Sequence, residues 1–344
     1  MTDARNTAFV TGGSGLVGTH VLYDLTRSGR KVKALKREGS NLKIVQRVFN
    51  FYDPENGASL FDKIEWIDGD LLDVLALEEG LSGVNEVYHC AALVSFHKSD
   101  DEELMRVNVD GTSNIVNAAL SNGVQKFCHV SSTAAIGRKA KKKEINEQTP
   151  WKKSKHNSMY AISKFLAERE VWRGAEEGLD IAIVNPAIII GPGDWSRSSG
   201  TIFQKVWTGF KFYTYGVNGF IDARDVSKAM ISLLDRNIFR ERYLVVSENL
   251  NFKQYFDLVA WSLGKPAASI KANRIITSIA WRAMMIKSKL TGKKPSFTRH
   301  NARSTHSRRF YSNEKLRKQL GIDLIPVKSA VQNAGNFFKE FATH

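Results

Sequence analysis

Tyr160 and Lys164 stand four residues apart in the stretch NSMYAISKFLAER, residues 157–169. Side chains at that spacing share one helical face, so a phenol and an ammonium can reach the same point. A phenol is a poor base at neutral pH, because its unperturbed pKa is about 10. A nearby cation favours the phenolate and lowers that value. Proton transfer to or from a carbonyl or alcohol would also need a group to orient the substrate oxygen. The segment VSSTAAIG offers Ser131, Ser132 and Thr133 for this.

A second constellation lies near the start, in VTGGSGLVGTH. Gly12, Gly15 and Gly18 have the spacing GxxGxxG, with Leu16 and Val17 inside the motif. The motif follows a strand and opens a helix. Glycines there let the backbone turn tightly and approach a pyrophosphate, and the helix N-terminus offers free N–H groups. The next strand ends in Lys36 and Arg37, where NAD-binding chains tend to carry a carboxylate for the ribose hydroxyls. Two cations there favour NADP(H) over NAD(H). Asp70, followed by Leu71, is placed to accept a hydrogen bond from an adenine amino group. Ala91 and Ala92 are small enough to let a ribose lie against the backbone.

These residues need a frame. The first half alternates strand-like runs (TAFVT, KVKAL, IEWID, EVYHC, KFCHVSS and DIAIVNP) with helical patterns, among them a long helix over residues 100–122. Such alternation predicts an α/β fold with a doubly wound parallel sheet, a Rossmann arrangement. The carboxyl edge of that sheet is where ligands bind. Residues 1–190 and 219–248 are expected to form this domain, with a strand near GFIDA, a helix from Val226 to Arg236 and the strand RYLVV rejoining it. Residues 191–218 and 249–344 are expected to form a smaller, mostly helical substrate-binding region.

The glycine motif, GDL, CAA, NVDGT, SSTAAIG, YAISK and NPAIIIGPG occur in an order that resembles the extended short-chain dehydrogenase/reductases across essentially the whole chain. The nearest group in that superfamily comprises the dihydroflavonol reductases, cinnamoyl-CoA reductases and 3β-hydroxysteroid dehydrogenases. The resemblance implies that Tyr160 is the general acid/base and Lys164 its electrostatic partner, which also holds the nicotinamide ribose. It implies that Ser132, five before Gly137, is the catalytic hydroxyl rather than Ser131. Asn108 in NVDGT matches an asparagine that stiffens the site's helix and water network. Pro186 and the AII after it, ending at Ile189, match the loop beside the nicotinamide. The reaction implied is hydride transfer between nicotinamide and a carbonyl or alcohol. Other branches of the superfamily leave two alternatives: a nucleotide-sugar epimerase or dehydratase with tightly bound NAD, and a non-catalytic dinucleotide-binding protein.

Bulk properties limit the setting. The chain has 344 residues and a formal net charge of +15. It has no signal-peptide pattern and no apolar run of membrane-spanning length. Its two cysteines, Cys90 and Cys128, fit a reducing cytoplasm. No metal site and no nucleic-acid module are expected. The positive charge is uneven: Leu258 to Asn313 contains no Asp or Glu, and RKAKKK at residues 138–143 forms a second cluster. Such patches attract anions. One expected role is a handle for an anionic substrate. Another is peripheral membrane contact through IITSIAWRAMMIKSKL, apolar on one side and basic on the other. The aromatics Trp195, Phe203, Trp207, Phe210, Phe212, Tyr213 and Tyr215 are candidates to line a bulky apolar pocket. Family resemblance implies a homodimer through the helices at residues 100–122 and Tyr160.

Overall fold

The computed structural model describes residues 7–138, 144–154 and 156–341. Most of the RKAKKK cluster, residues 139–143, therefore lies outside the described residues.

The first half is built from strand–helix repeats. Strand β1 (Thr7–Thr11) leads to α1 (Leu16–Arg27), and β2 (Lys31–Lys36) to α2 (Leu42–Tyr52) and α3 (Gly57–Asp62). Strand β3 (Ile64–Asp68) leads to α4 (Val74–Leu81). Strand β4 (Glu86–His89) leads to α5 (Asp101–Met105), a π-helical turn (Arg106–Asp110) and α6 (Gly111–Ser121). Strand β5 (Lys126–Val130) leads to α7 (Met159–Glu176), which is followed by β6 (Asp180–Pro186). The second half runs β7 (Ile188–Ile190), α8 (Thr201–Trp207), β8 (Phe212–Tyr213), β9 (Val217–Asp222), α9 (Ala223–Asp235) and β10 (Glu241–Val245). It ends with β11 (Glu248–Asn251), α10 (Phe252–Leu263), β12 (Ile270–Lys271), α11 (Arg274–Thr291), α12 (Arg299–Ser304), α13 (Glu314–Leu320) and α14 (Val327–Phe341).

Seven strands form one parallel sheet in the order β10-β6-β5-β4-β1-β2-β3. Every residue of β4 is buried, as is all of β6 after Asp180. Strands covered on both faces are mostly apolar rather than alternating, and the buried polar residues of β4 are hydrogen-bonded, Glu86 to Arg30 and His89 to Thr11 and Thr112. Alternate residues then feed two cores. Ala8 and Val10 enter the one under α1, α2 and α9, and Phe9 enters the one under α4, α6 and α7. The chain leaves β1 in one direction and β4 in the other, which opens a crevice at the carboxyl ends of these two central strands.

The structure adds detail to three expectations. The GFIDA strand does not rejoin the large sheet. It is β9, the centre of a separate three-stranded sheet, parallel to β7 and antiparallel to β11. Only β10 returns, as the outer neighbour of β6. The helix over residues 100–122 is not uniform, because Arg106–Asp110 winds as a π turn. The C-terminal segment is shared between the two regions. Leu316, Leu320 and Phe337 lie in the Rossmann core, whereas Val327, Val331 and Phe338 lie in the core of the small region.

Phe337 is fully buried and meets Phe51 of α2 at 5.2 Å between ring centroids and Trp195 at 5.8 Å. It therefore helps join the two regions. Phe337→Ala is expected to cost about 3–5 kcal/mol. Urea denaturation would show this as a lower midpoint with a similar slope.

Candidate active site

The glycine turn is closed by contacts that leave no room for a side chain. Gly12 has φ +68°, and a Cβ there would lie 2.6 Å from the Ala91 nitrogen. A Cβ on Gly18 would lie 2.1 Å from the Gly12 carbonyl oxygen. Gly15 donates its N–H to that same carbonyl at 2.9 Å and precedes α1 without a side-chain cap. The amides of Leu16, Val17 and Gly18 in the first turn therefore have no side-chain acceptor, and a diphosphate would meet a positive helix end. A cradle that admits only hydrogen at Gly12 and Gly18 fits a dinucleotide.

The neighbouring cofactor candidates divide. Lys36 is paired with Asp68, its register partner on β3, while Arg37 is exposed and makes no side-chain ion pair among the described residues. The Asp70 carboxylate accepts from the Leu72 amide at 2.6 Å and so fixes the turn after β3. The Leu71 side chain is buried, in contact range of any Cβ added at Gly111, and its carbonyl accepts from Asn114 at 2.9 Å. Ala91 sits against Gly12, and Ala92 is exposed beside it. Pro186 closes β6, and Ile189 in β7 packs against the main core.

Tyr160 opens α7 just after Ser158, whose hydroxyl caps the Ala161 amide at 3.1 Å. Its phenol and the Ser132 hydroxyl line one cavity with Thr133, Ile188 and Asn218. Burial raises the pKa of Tyr160, and Ser132 opposes that shift. Lys164, one turn further along the helix, is buried. It is 1 % exposed and donates to the Val130 carbonyl at 2.8 Å, with His129 Nε2 at 3.4 Å. Desolvation lowers its pKa to about 8, and the Glu168 carboxylate one turn on resists that shift. Ser131 points elsewhere, donating to Glu168 at 2.8 Å. Glu168 also accepts from Asn185 at 2.9 Å and Arg242 at 3.0 Å, and Asn185 donates to the Ser132 carbonyl at 3.1 Å.

Asn108 lies in the π turn and clamps it. Its Oδ1 accepts from the Leu93 amide at 2.7 Å, and its Nδ2 donates to the Leu93 carbonyl at 3.0 Å and to Ser163 of α7 at 2.9 Å. The Asn108 carbonyl takes the Thr112 hydroxyl at 2.6 Å. Because the Thr112 proton goes to the Asn108 carbonyl, Thr112 accepts from His89 Nε2 at 3.0 Å, and His89 Nδ1 accepts from the Thr11 hydroxyl at 2.7 Å, which itself accepts from the Ala91 amide. Burial, with Lys164 nearby, holds His89 at about 3, so it stays neutral.

Sequence reasoning missed the outer part of the site. Phe96 meets Tyr160 edge-on at 5.5 Å and stacks on His300 at 4.6 Å. Beyond them opens a cavity of about 500 Å³ whose lining includes Arg138, Arg299, Arg303 and Arg309. None of the four has an ion-pair partner among the described residues. His300, half-buried and near Arg309, Arg138 and Arg303, is pushed down to about 4 by partial desolvation and these charges and stays neutral. The basic window in the sequence was the available signal, but its convergence on Tyr160 depends on the fold. The expected aromatic pocket is not here. Trp195, Phe203 and Trp207 pack with Phe338 or with one another, Phe210, Phe212 and Tyr215 are exposed at the surface, and Tyr213 packs on Tyr215.

A parallel Rossmann sheet with a glycine turn and a Ser–Tyr–Lys cluster at its carboxyl edge defines an extended short-chain dehydrogenase/reductase architecture. A model of the NAD-dependent epimerase/dehydratase family matches residues 8–245, and the chain belongs to that family. It is 28% identical over 338 residues to sterol demethylase protein B of Methylococcus capsulatus, covering 97% of this chain and 98% of that one. It is 30% identical over 339 residues to a candidate dihydroflavonol 4-reductase of Synechocystis, covering 96% and 94%. The crystal structure of gox2253 superposes with a TM-score of 0.79 at 28% identity, covering 97% of this chain and 98% of that one. The fold also matches the Bordetella bronchiseptica enzyme WbmH in complex with NAD+, with a TM-score of 0.74 at 20% identity, covering 98% and 99%.

The folded pKa of Lys164, about 8, lies below its ordinary value of 10.5. Between those values the unfolded chain binds more protons than the folded one. The contribution of this group to stability therefore rises with pH across that window. Lys164→Met is expected to lack the rise. Urea midpoints of both proteins between pH 7 and 10 check this, and parallel profiles would contradict it.

Proposed function

We propose that the protein is an NADP(H)-dependent oxidoreductase that interconverts a carbonyl and an alcohol, with Tyr160 as general acid/base. The observation that carries this reading is that Tyr160 and Ser132 line the same cavity, close enough for the serine hydroxyl to oppose the effect of burial on the phenol. When bound, the nicotinamide supplies or accepts the hydride. Ser132 and Tyr160 present two hydroxyls to one point, where a carbonyl oxygen would accept from both. Tyr160, kept protonated by its burial, yields its proton as negative charge builds on that oxygen. Lys164 uses two of its three N–H groups on Val130 and His129, which leaves one for a ribose hydroxyl. Its charge then offsets the phenolate left behind.

Exposed Arg37 at the end of β2 supports NADP(H). A 2′-phosphate there would meet its guanidinium and compete with Asp68 for Lys36. The four unpaired arginines support a substrate that carries an acidic group along with its carbonyl. The same arginines also suit a diphosphate, which favours a second reading: a nucleotide-sugar epimerase or dehydratase with tightly held NAD. The two readings part on cofactor turnover, since only the reductase consumes NADPH. The intact Tyr–Ser–Lys cluster weighs against a purely dinucleotide-binding role. Free Cys90 and Cys128 are consistent with a reducing cytoplasm. A homodimer through α5, α6 and α7 completes the proposal.

Following NADPH absorbance across carbonyl compounds with and without an acidic group tests this reading. Turnover confined to acidic carbonyls is the expected result. NADPH oxidation by none of them, together with NAD that copurifies with the protein, would favour the epimerase. Tyr160→Phe is expected to lower kcat by about 10²–10⁴-fold while the NADPH dissociation constant stays nearly unchanged. Arg37→Ala is expected to reduce the preference for NADPH over NADH by about tenfold, read from kcat/KM with each cofactor.

A further inference from the structure

Helix α11 presents its apolar side to solvent. Asn273 caps it through the amides of Ile275 and Ile276, Gly292 ends it in the left-handed conformation, and Thr277 is its only buried residue. A surface helix in a water-soluble fold usually turns its charges outward and its aliphatic side chains inward. Here Ile275 is 69%, Ile279 64%, Ile286 61% and Leu290 82% exposed. At 3.6 residues per turn, these four fall within about 60° of arc. Thr277 lies on the far side. The outward ridge is therefore a line of four large aliphatic side chains.

The charge beside the ridge has one sign. Arg282, Lys287, Lys289 and Lys293 lie on or next to the helix, and no acidic residue occurs between Leu258 and Asn313. Lys287, Lys289 and Lys293 form no ion pair among the described residues. Just before the helix, Ile270 of β12 is paired with Phe212 of β8, and both are exposed beside Lys211 and Lys271. An aliphatic ridge edged by unpaired cations is the pattern of a helix that lies in a membrane interface. No helix among the described residues is long and apolar enough to cross a bilayer, so the contact would be peripheral.

We propose that α11 docks the protein on an anionic lipid surface, with the Ile275–Ile279–Ile286–Leu290 ridge entering the headgroup boundary and the flanking lysines meeting lipid phosphates. A nucleic acid would engage the cations but give the ridge nothing to bury against. The helix is tied to the reaction cavity. Thr277 is hydrogen-bonded to His306 at 2.9 Å just after α12, and α12 supplies Arg299, His300, Arg303 and Ser304 to the cavity lining. A bilayer seated on the ridge would therefore be separated by α11 alone from the element that walls the mouth of the site.

The test is co-sedimentation of the full chain with vesicles of phosphatidylcholine alone or with about 30% phosphatidylglycerol, in parallel with Ile279→Ser/Ile286→Ser and Lys287→Glu/Lys289→Glu variants. These side chains are exposed and lie outside the reaction cavity, so folding and NADPH binding are expected to match the parent. The expected result is binding to the anionic vesicles only, weakened at least tenfold by either double variant. Three results would overturn the proposal. One is no binding by the parent. Another is binding that the Ile279→Ser/Ile286→Ser variant retains, which would mean simple charge adsorption. The third is a parent dimer in size-exclusion chromatography that this variant converts to a monomer, which would assign the ridge to a second copy of the chain. The measurement needs no turnover, so it is independent of the redox reading.

Discussion

An ammonium with almost no exposed surface must be answered by the chain around it, and much of the site is arranged around Lys164. A buried charge is tolerated only when hydrogen bonds and opposite charge replace the water it has lost. The Val130 carbonyl and His129 supply the hydrogen bonds, and Glu168 supplies the countercharge. Glu168 is itself buried, and is held by Arg242, Ser131 and Asn185. Asn185 closes the circuit by holding the carbonyl of Ser132. The backbone of Ser132, the proposed catalytic hydroxyl, is thus fixed by the same network that keeps the cation in place. His89 and His129 stack at 5.0 Å on its inner side, and burial beside Lys164 keeps both from adding a second positive charge.

Toward the cavity mouth the balance reverses. The four guanidiniums there have no carboxylate partner among the described residues, and His300 stays neutral between them and Phe96. Close like charges are unfavourable unless an anion joins them. The cost is lowest where solvent reaches the groups, and an acidic ligand would remove it. The inner end of the site is therefore complete without a ligand, and the outer end is not. A positive potential at the mouth would also favour negative charge developing on an oxygen between Ser132 and Tyr160, so binding and proton transfer draw on the same field.

What the sequence revealed was local, and what it hid was long-range. Strands β1 and β6 were legible to their end residues because fully buried strands in a parallel sheet read as unbroken apolar runs. The glycine turn was legible because its contacts span only Gly12 to Gly18 and Ala91. Residues 217–222 read as a strand, but no periodicity says which sheet a strand will join. The π turn at Asn108 was hidden because a one-residue shift in hydrogen bonding leaves no change in composition. The Lys36–Asp68 pair was hidden because it follows from the register of β2 on β3. Aromatics at residues 195–207 suggested a pocket, but large apolar side chains fill a core equally well, and these do. Phe96, Arg138 and Arg299 are far apart in the chain, and only the fold brings them to one cavity.

The acid-free stretch from Leu258 to Asn313 reads as a single basic patch in one dimension, yet the fold divides it. Arg299, Arg303 and Arg309 go to the cavity, whereas Lys287, Lys289 and Lys293 stay with the outward ridge of α11. Lys294 is removed from either set by its ion pair with Asp100 at 2.8 Å, which ties the end of this segment to the start of the α5 stretch. Arg299 and Arg303 of the first group are carried by α12, a six-residue helix capped at Thr298 by a reciprocal pair of hydrogen bonds with Asn301. A helix that short has little stability of its own, so its position depends on what packs against it. α11 packs on one side and the His300–Phe96 stack holds the other, so any force on the outer helix reaches the cavity wall through α12.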